Sequence, residues 1–103
     1  MTRETLPNKR FGETFEITHR DQPVSVTVSR FADGRVAEVF AREWYGSGTA
    51  LEAEARDASV LLSLALQFGM PLETARRALS RYDDGRPCGV IGAVVDALTG
   101  ETT

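Results

Sequence analysis

From residue 15 the chain alternates between apolar and polar positions. Phe15, Ile17 and His19 interleave with Glu16, Thr18 and Arg20. A period of two predicts a half-buried strand. Asp21-Gln22-Pro23 reads as a turn. Val24, Val26 and Val28 then alternate with Ser25, Thr27 and Ser29. β-Branched residues at every second position fit a pleated surface, and this is the clearest strand in the chain. Ala32-Asp33-Gly34-Arg35 leads into a third alternating run, Val36, Glu38, Phe40 and Arg42 against Ala37, Val39 and Ala41. Asp-Gly between two such runs predicts a hairpin with a type I′ turn. The three strands form an antiparallel meander.

Gly46-Ser47-Gly48 ends the alternation. Thr49-Ala50-Leu51-Glu52 has the form of a capping box, which opens a helix. That helix should run to about Phe68, with Gly69 as its C-cap. Glu52, Glu54, Arg56 and Asp57 make its first half amphipathic, whereas from Ala58 onward it is apolar almost all round. A helix without a polar face is buried on most sides, so this is the central helix. Pro71 at a first helical position starts a second helix. Its stripe is Leu72, Ala75 and Leu79 with Ala78, and Arg76, Arg77 and Arg81 form its charged side. After the polar linker 82–87, Val90, Ile91, Val94, Val95 and Leu98 make a last short helix that ends at Gly100. No internal repeat and no low-complexity segment stand out.

These elements predict an α+β fold, a three-stranded antiparallel meander packed against a central buried helix plus two shorter C-terminal helices. The organisation expected is a loosely held arm at 1–13, a single domain at 14–99 and a polar tail at 100–103. Lys9 and Arg10 in the arm are available to touch a partner.

The chain has 103 residues, which is one domain's worth. One Cys and one His rule out a disulfide framework and any all-Cys/His zinc site, so no metal is expected. A net charge of −3 speaks against nucleic acid as a partner. The longest apolar stretch, around Val60-Leu61-Leu62, is far short of a bilayer span, and no signal-peptide pattern opens the chain. A lone Cys88 suits a reducing cytoplasm.

Catalysis finds little to build on. His19, the only histidine, reads as a strand-end residue, and Cys88 has Arg86 nearby but no assigned base. Glu52, Asp57, Asp83 and Asp84 read as solvated carboxylates. No nucleotide fingerprint or metalloprotease helix is present, so no cofactor is expected. Anion binding has more support. Gly46, Ser47, Gly48 and Thr49 lead from a strand into a helix N-terminus, which offers free N–H groups and a positive dipole end. Arg77 and Arg81, four apart, are the matching cations. Arg76 and Arg86 add guanidinium groups suited to a partner's carboxylates. Trp44 and Tyr45 close the third strand, point to opposite sides, and offer an aromatic anchor to a partner.

Several segments together resemble one known family. They are Ser29 to Phe40, Arg56-Asp57-Ala58, Ser63 to Gly69, Arg76-Arg77-Ala78-Leu79, Asp84-Gly85-Arg86-Pro87 and Asp96-Ala97-Leu98. In that order, from Phe31 to Leu98, they resemble the TSCPD family. Its domains occur at the C-terminal end of some B12-dependent class II ribonucleotide reductases and as short free-standing proteins. The chain is most similar to the bacterial free-standing type. The Thr-Ser-Cys-Pro-Asp motif is not intact here; Cys88, displaced, and Asp96 are what remains of it. The resemblance implies a fold and a neighbourhood but not the reductase chemistry, since the chain has no barrel, cysteine pair or B12 site.

The resulting expectation is a non-catalytic interaction module linked to ribonucleotide reductase or nucleotide metabolism. A small nucleotide or phosphate sensor built on Gly46 to Thr49 with Arg77 and Arg81 is the alternative. A thiol enzyme on Cys88 and a protein inhibitor encoded by a mobile element follow. The expected partner is a protein, with a reductase subunit as the candidate. A homodimer is a further expectation, because three strands leave two edges.

Overall fold

A computed structural model describes residues 2–6, 11–43 and 49–100 of the chain. Its elements are β1 (Phe11–His19), β2 (Gln22–Arg30), β3 (Val36–Glu43), α1 (Ala50–Gln67), α2 (Leu72–Ala78) and α3 (Val90–Thr99). The strands pair antiparallel in the order β1-β2-β3. This is the expected α+β meander with three helices. β1 begins at Phe11, earlier than its clean alternation suggests. The segment 2–6 is tied down as well, with Glu4 donating its backbone N–H to the carbonyl of Gln67 at 2.8 Å.

The two hairpins exchange the turn types that the sequence suggests. His19 pairs with Gln22, so Arg20-Asp21 is a two-residue loop, and both residues have positive φ (51° and 61°). That is the signature of a type I′ turn. Between β2 and β3 only Gly34 has positive φ, at 93°. There Gly34 donates to the Phe31 carbonyl and Phe31 to the Arg35 carbonyl, both at 2.9 Å. Five residues lie between Arg30 and its partner Val36, too many for a two-residue loop. The chain closes a wider turn on a left-handed glycine instead, and the register slips between Ser29 and Arg30.

One face of the sheet is the core. Val24, Val26, Val28, Ala37, Val39 and Ala41 are buried on it, and Val94, Val95 and Ile91 of α3 pack against them with Leu62 and Leu66 of α1. At Gly92 of α3 a Cβ would stand 2.9 Å from Pro87 Cβ, so glycine lets the 80s segment close onto the helix. α1 starts where expected, with Thr49 Oγ1 accepting from Glu52 N at 3.1 Å. It ends in a Schellman arrangement at Gly69 (φ 104°), where Met70 N–H reaches the Ala65 carbonyl and Gly69 N–H that of Leu66.

α1 lies along the free edge of β3. Its buried stripe Ser59, Ser63 and Gln67, spaced four apart, faces the strand backbone. Ser63 Oγ accepts from Val39 N–H at 2.9 Å and donates to the Val39 carbonyl at 3.0 Å. Ser59 Oγ accepts from Ala41 N–H at 3.1 Å, and Gln67 Nε2 donates to the Ala37 carbonyl at 3.0 Å. Three side chains thus serve the edge as a fourth strand would. Of the two expected open edges, that of β3 is closed by the chain itself. Among the described residues no strand pairs with the outer edge of β1. None of the described helices is long and apolar enough to cross a membrane.

Candidate functional site

The arginines marked in the sequence do not share one helix face. α2 stops at Ala78 because Leu79 is extended (φ −76°, ψ 148°), and Arg81 lies beyond it in a bridge with Pro87. Arg81 Nη1 and Nη2 hold Asp96 Oδ2 and Oδ1 at 2.9 and 2.6 Å, a two-pronged ion pair reaching from the 80s segment to α3. Arg76 and Arg77 both meet Glu73 one turn earlier. Chiefly because of Arg76, the Glu73 carboxyl stays below its usual range. Arg86 Nε holds Asp84 Oδ2 at 2.7 Å. Each of these guanidinium groups already faces a carboxylate of its own chain. Thr49 caps α1, whereas Trp44, Tyr45, Gly46, Ser47 and Gly48, like Lys9 and Arg10, lie outside the described residues.

The pairing of Arg81 and Arg86 belongs to a turn that occurs twice. Arg30-Phe31-Ala32-Asp33-Gly34-Arg35 and Arg81-Tyr82-Asp83-Asp84-Gly85-Arg86 share the pattern Arg, aromatic, any residue, Asp-Gly-Arg. In each, the last Arg donates its backbone N–H to the Asp at 3.0 Å and its Nε at 2.7 Å. In each, the first Arg donates Nη1 to the glycine carbonyl at 2.9 Å. Both glycines have positive φ, and both flanking pairs, Arg30 with Val36 and Arg81 with Pro87, close the hairpin. The last Arg lies over the aromatic ring, 4.7 Å from the Phe31 centroid and 6.0 Å from that of Tyr82. The expectation of no internal repeat therefore fails at the scale of six residues, too short to register as a repeated fold unit. In both turns the backbone N–H of the last Arg, ahead of its guanidinium, holds the Asp carboxyl below its usual range.

Beside the second turn is a cleft of about 490 Å³, lined among others by His19, Arg20, Tyr82, Arg86 and Asp96. His19 is buried, and its Nε2 accepts from Arg20 Nε at 3.1 Å. Arg20 Nη2 donates to the Cys88 carbonyl at 3.2 Å and ties the β1–β2 turn to the 80s segment. Sequence reasoning missed Arg20, because a turn arginine looks solvated until the turn folds back on a distant carbonyl.

A second surface lies on the far side of α1. With Ser59, Leu62, Ser63, Leu66 and Gln67 inward, the helix packs on the sheet as expected and keeps an uncovered apolar side. Leu61 is 68% exposed and Val60 50% exposed, and Phe68 at the helix end is exposed too. Phe40 of β3, 45% exposed, shares a shallow groove with Val60 and Leu64. Glu38 and Arg3 border that groove, and Arg42 and Arg56 stand on the next one. An apolar centre with a charged border is the anatomy of an interface.

Comparison with known proteins places this geometry in context. The TSCPD domain matches residues 2–100. A vitamin B12-dependent ribonucleotide reductase of Agrobacterium fabrum is 34% identical over 89 residues, covering 86% of this chain and 7% of the reductase. One from Bradyrhizobium diazoefficiens is 31% identical over 71 residues, 69% of this chain and 6% of the reductase. The chain therefore spans only a small fraction of these curated relatives. No solved structure matches it.

Proposed function

The chain belongs to the TSCPD domain family, related to vitamin B12-dependent ribonucleotide reductases, and we propose that it is a non-catalytic interaction module whose partner is such a reductase. The observation that carries this reading is the apolar side of α1 exposed at Val60, Leu61 and Phe68, with Phe40 of β3 on the groove that Val60 lines. Exposed aliphatic side chains that adjoin one another, rimmed by charge, gain most by being covered. In the relatives the matching region is a small part of a long chain, so the body of a reductase is the natural cover for that side.

The test is a binding titration of the chain against a purified B12-dependent reductase from its own cell. Leu61→Asp buries a charge in the contact and should weaken binding by at least about tenfold, or 1.4 kcal/mol. Leu61 is exposed, so the fold should survive the change. No measurable binding of the unaltered chain overturns the reading. A chain that pairs with a second copy through this face, and loses that pairing with Leu61→Asp, overturns it in favour of a homodimer.

A further inference from the structure

The twin turns share a backbone, but among the described residues only the first holds a carboxylate from outside the turn. At the first, the chain's own segment 2–6 lies against the turn. Arg35 Nη2 donates to both oxygens of Glu4, at 3.0 and 2.8 Å, in addition to its fork on Asp33. Phe31 beneath is only 6% exposed. At the second turn, Asp84 is the carboxylate that Arg86 meets among the described residues. Tyr82, in the place of Phe31, is 48% exposed, and the cleft opens beside it.

We propose that the second turn binds a carboxylate carried on a peptide segment of a partner protein, as the first turn holds Glu4. The recognition elements are already in place, since Arg86 is oriented by its bonds to Asp84 and the Tyr82 ring provides the flat surface that Phe31 provides at the first turn. Arg20 on the cleft wall adds a second guanidinium, and its hydrogen bonds go to His19 Nε2 and the Cys88 carbonyl, neither of them a carboxylate. Two carboxylates also line the cleft. Asp96 is matched by Arg81, and Asp21 on the turn sets a limit on how much negative charge enters. A peptide segment is favoured over a free small anion because the occupant of the first turn is one. Glu4 is held there by its carboxylate and also by its backbone N–H on Gln67. The site uses none of the residues of the α1 docking side, so either surface can fail without the other.

The experiment titrates a blocked peptide with the sequence of residues 2–6 into the full chain. It follows the Tyr82 ring and the imidazole of His19, the only histidine, by NMR. Both signals should move, with saturation. A peptide carrying Glu4→Gln, or a chain carrying Arg86→Gln, should bind about tenfold more weakly, as the loss of a charge-assisted hydrogen bond predicts. Arg86→Gln keeps the backbone N–H on Asp84, so the turn persists. Signals that stay still, or equal binding of the Glu4→Gln peptide, overturn the proposal. Equal shifts produced by inorganic phosphate at the same concentration also overturn it, in favour of a small-anion site.

Discussion

Arg81 is the residue on which the C-terminal half turns. It caps the Gly85 carbonyl, accepts the geometry of a hairpin, and forks onto Asp96 of α3, which is buried. Removing the carboxylate would take the two-pronged ion pair from a partly buried guanidinium, so Asp96→Ala should destabilise the chain by about 2–3 kcal/mol in urea unfolding. A loss within a few tenths of a kcal/mol would mean that the pair is solvated. Gly92 makes a second prediction. A methyl group there meets Pro87 Cβ at 2.9 Å, and Gly92→Ala should cost about 1–3 kcal/mol despite its better helix propensity. Neither role was legible beforehand. Arg81 reads as one more charged residue on α2, because helical spacing is visible in sequence and an extended break at Leu79 is not. Asp96 reads as a remnant of a motif, because its partner lies 15 positions away.

At the level of elements, the strands were legible from strict alternation in Val24, Val26 and Val28, and the helix ends from Thr49, Gly69 and Gly100. The seam between α1 and β3 was not. The sequence reads α1 beyond Ala58 as apolar almost all round, yet Ser59, Ser63 and Gln67, spaced four apart, form an inward polar stripe that serves a strand edge. Ser63→Ala removes only the hydroxyl and orphans both backbone groups of Val39, so it should destabilise by about 2 kcal/mol in thermal or urea unfolding. A neutral effect would mean that the edge finds other partners. The twin turns make a pH prediction. Asp33 and Asp84 both titrate below the ordinary 3.8 in the folded chain. Their stabilising contribution is full above that value and is lost as pH falls through the lower folded values. A double variant, Asp33→Asn with Asp84→Asn, should flatten the fall in stability below about pH 4. An unchanged acid limb would contradict the turns' role. The duplicated pattern was present in the sequence all along; two six-residue matches 51 positions apart carry too little similarity to be noticed until the same hydrogen bonds appear twice.

On the scale of the whole molecule, the fold divides its surface into unlike parts. The outer face of the sheet is largely polar, the edge of β3 is sealed, and the second half of α1 keeps Val60, Leu61 and Phe68 toward solvent, with Phe40 on the groove that Val60 lines. The apolar run in α1 suggested cover on more than one side, and the chain itself supplies one. The strand and helix pattern, which depends on local spacing, was therefore readable, whereas the docking side depends on which flank of α1 the sheet leaves open. The most direct measurement of the central claim is methyl NMR of Val60, Leu61 and Leu64 in the full chain, recorded as a B12-dependent reductase is added. Those methyl signals should shift or broaden together, while methyls of the core residues Val94 and Val95 stay in place. Perturbations confined to other surfaces, or none at all, would contradict the account.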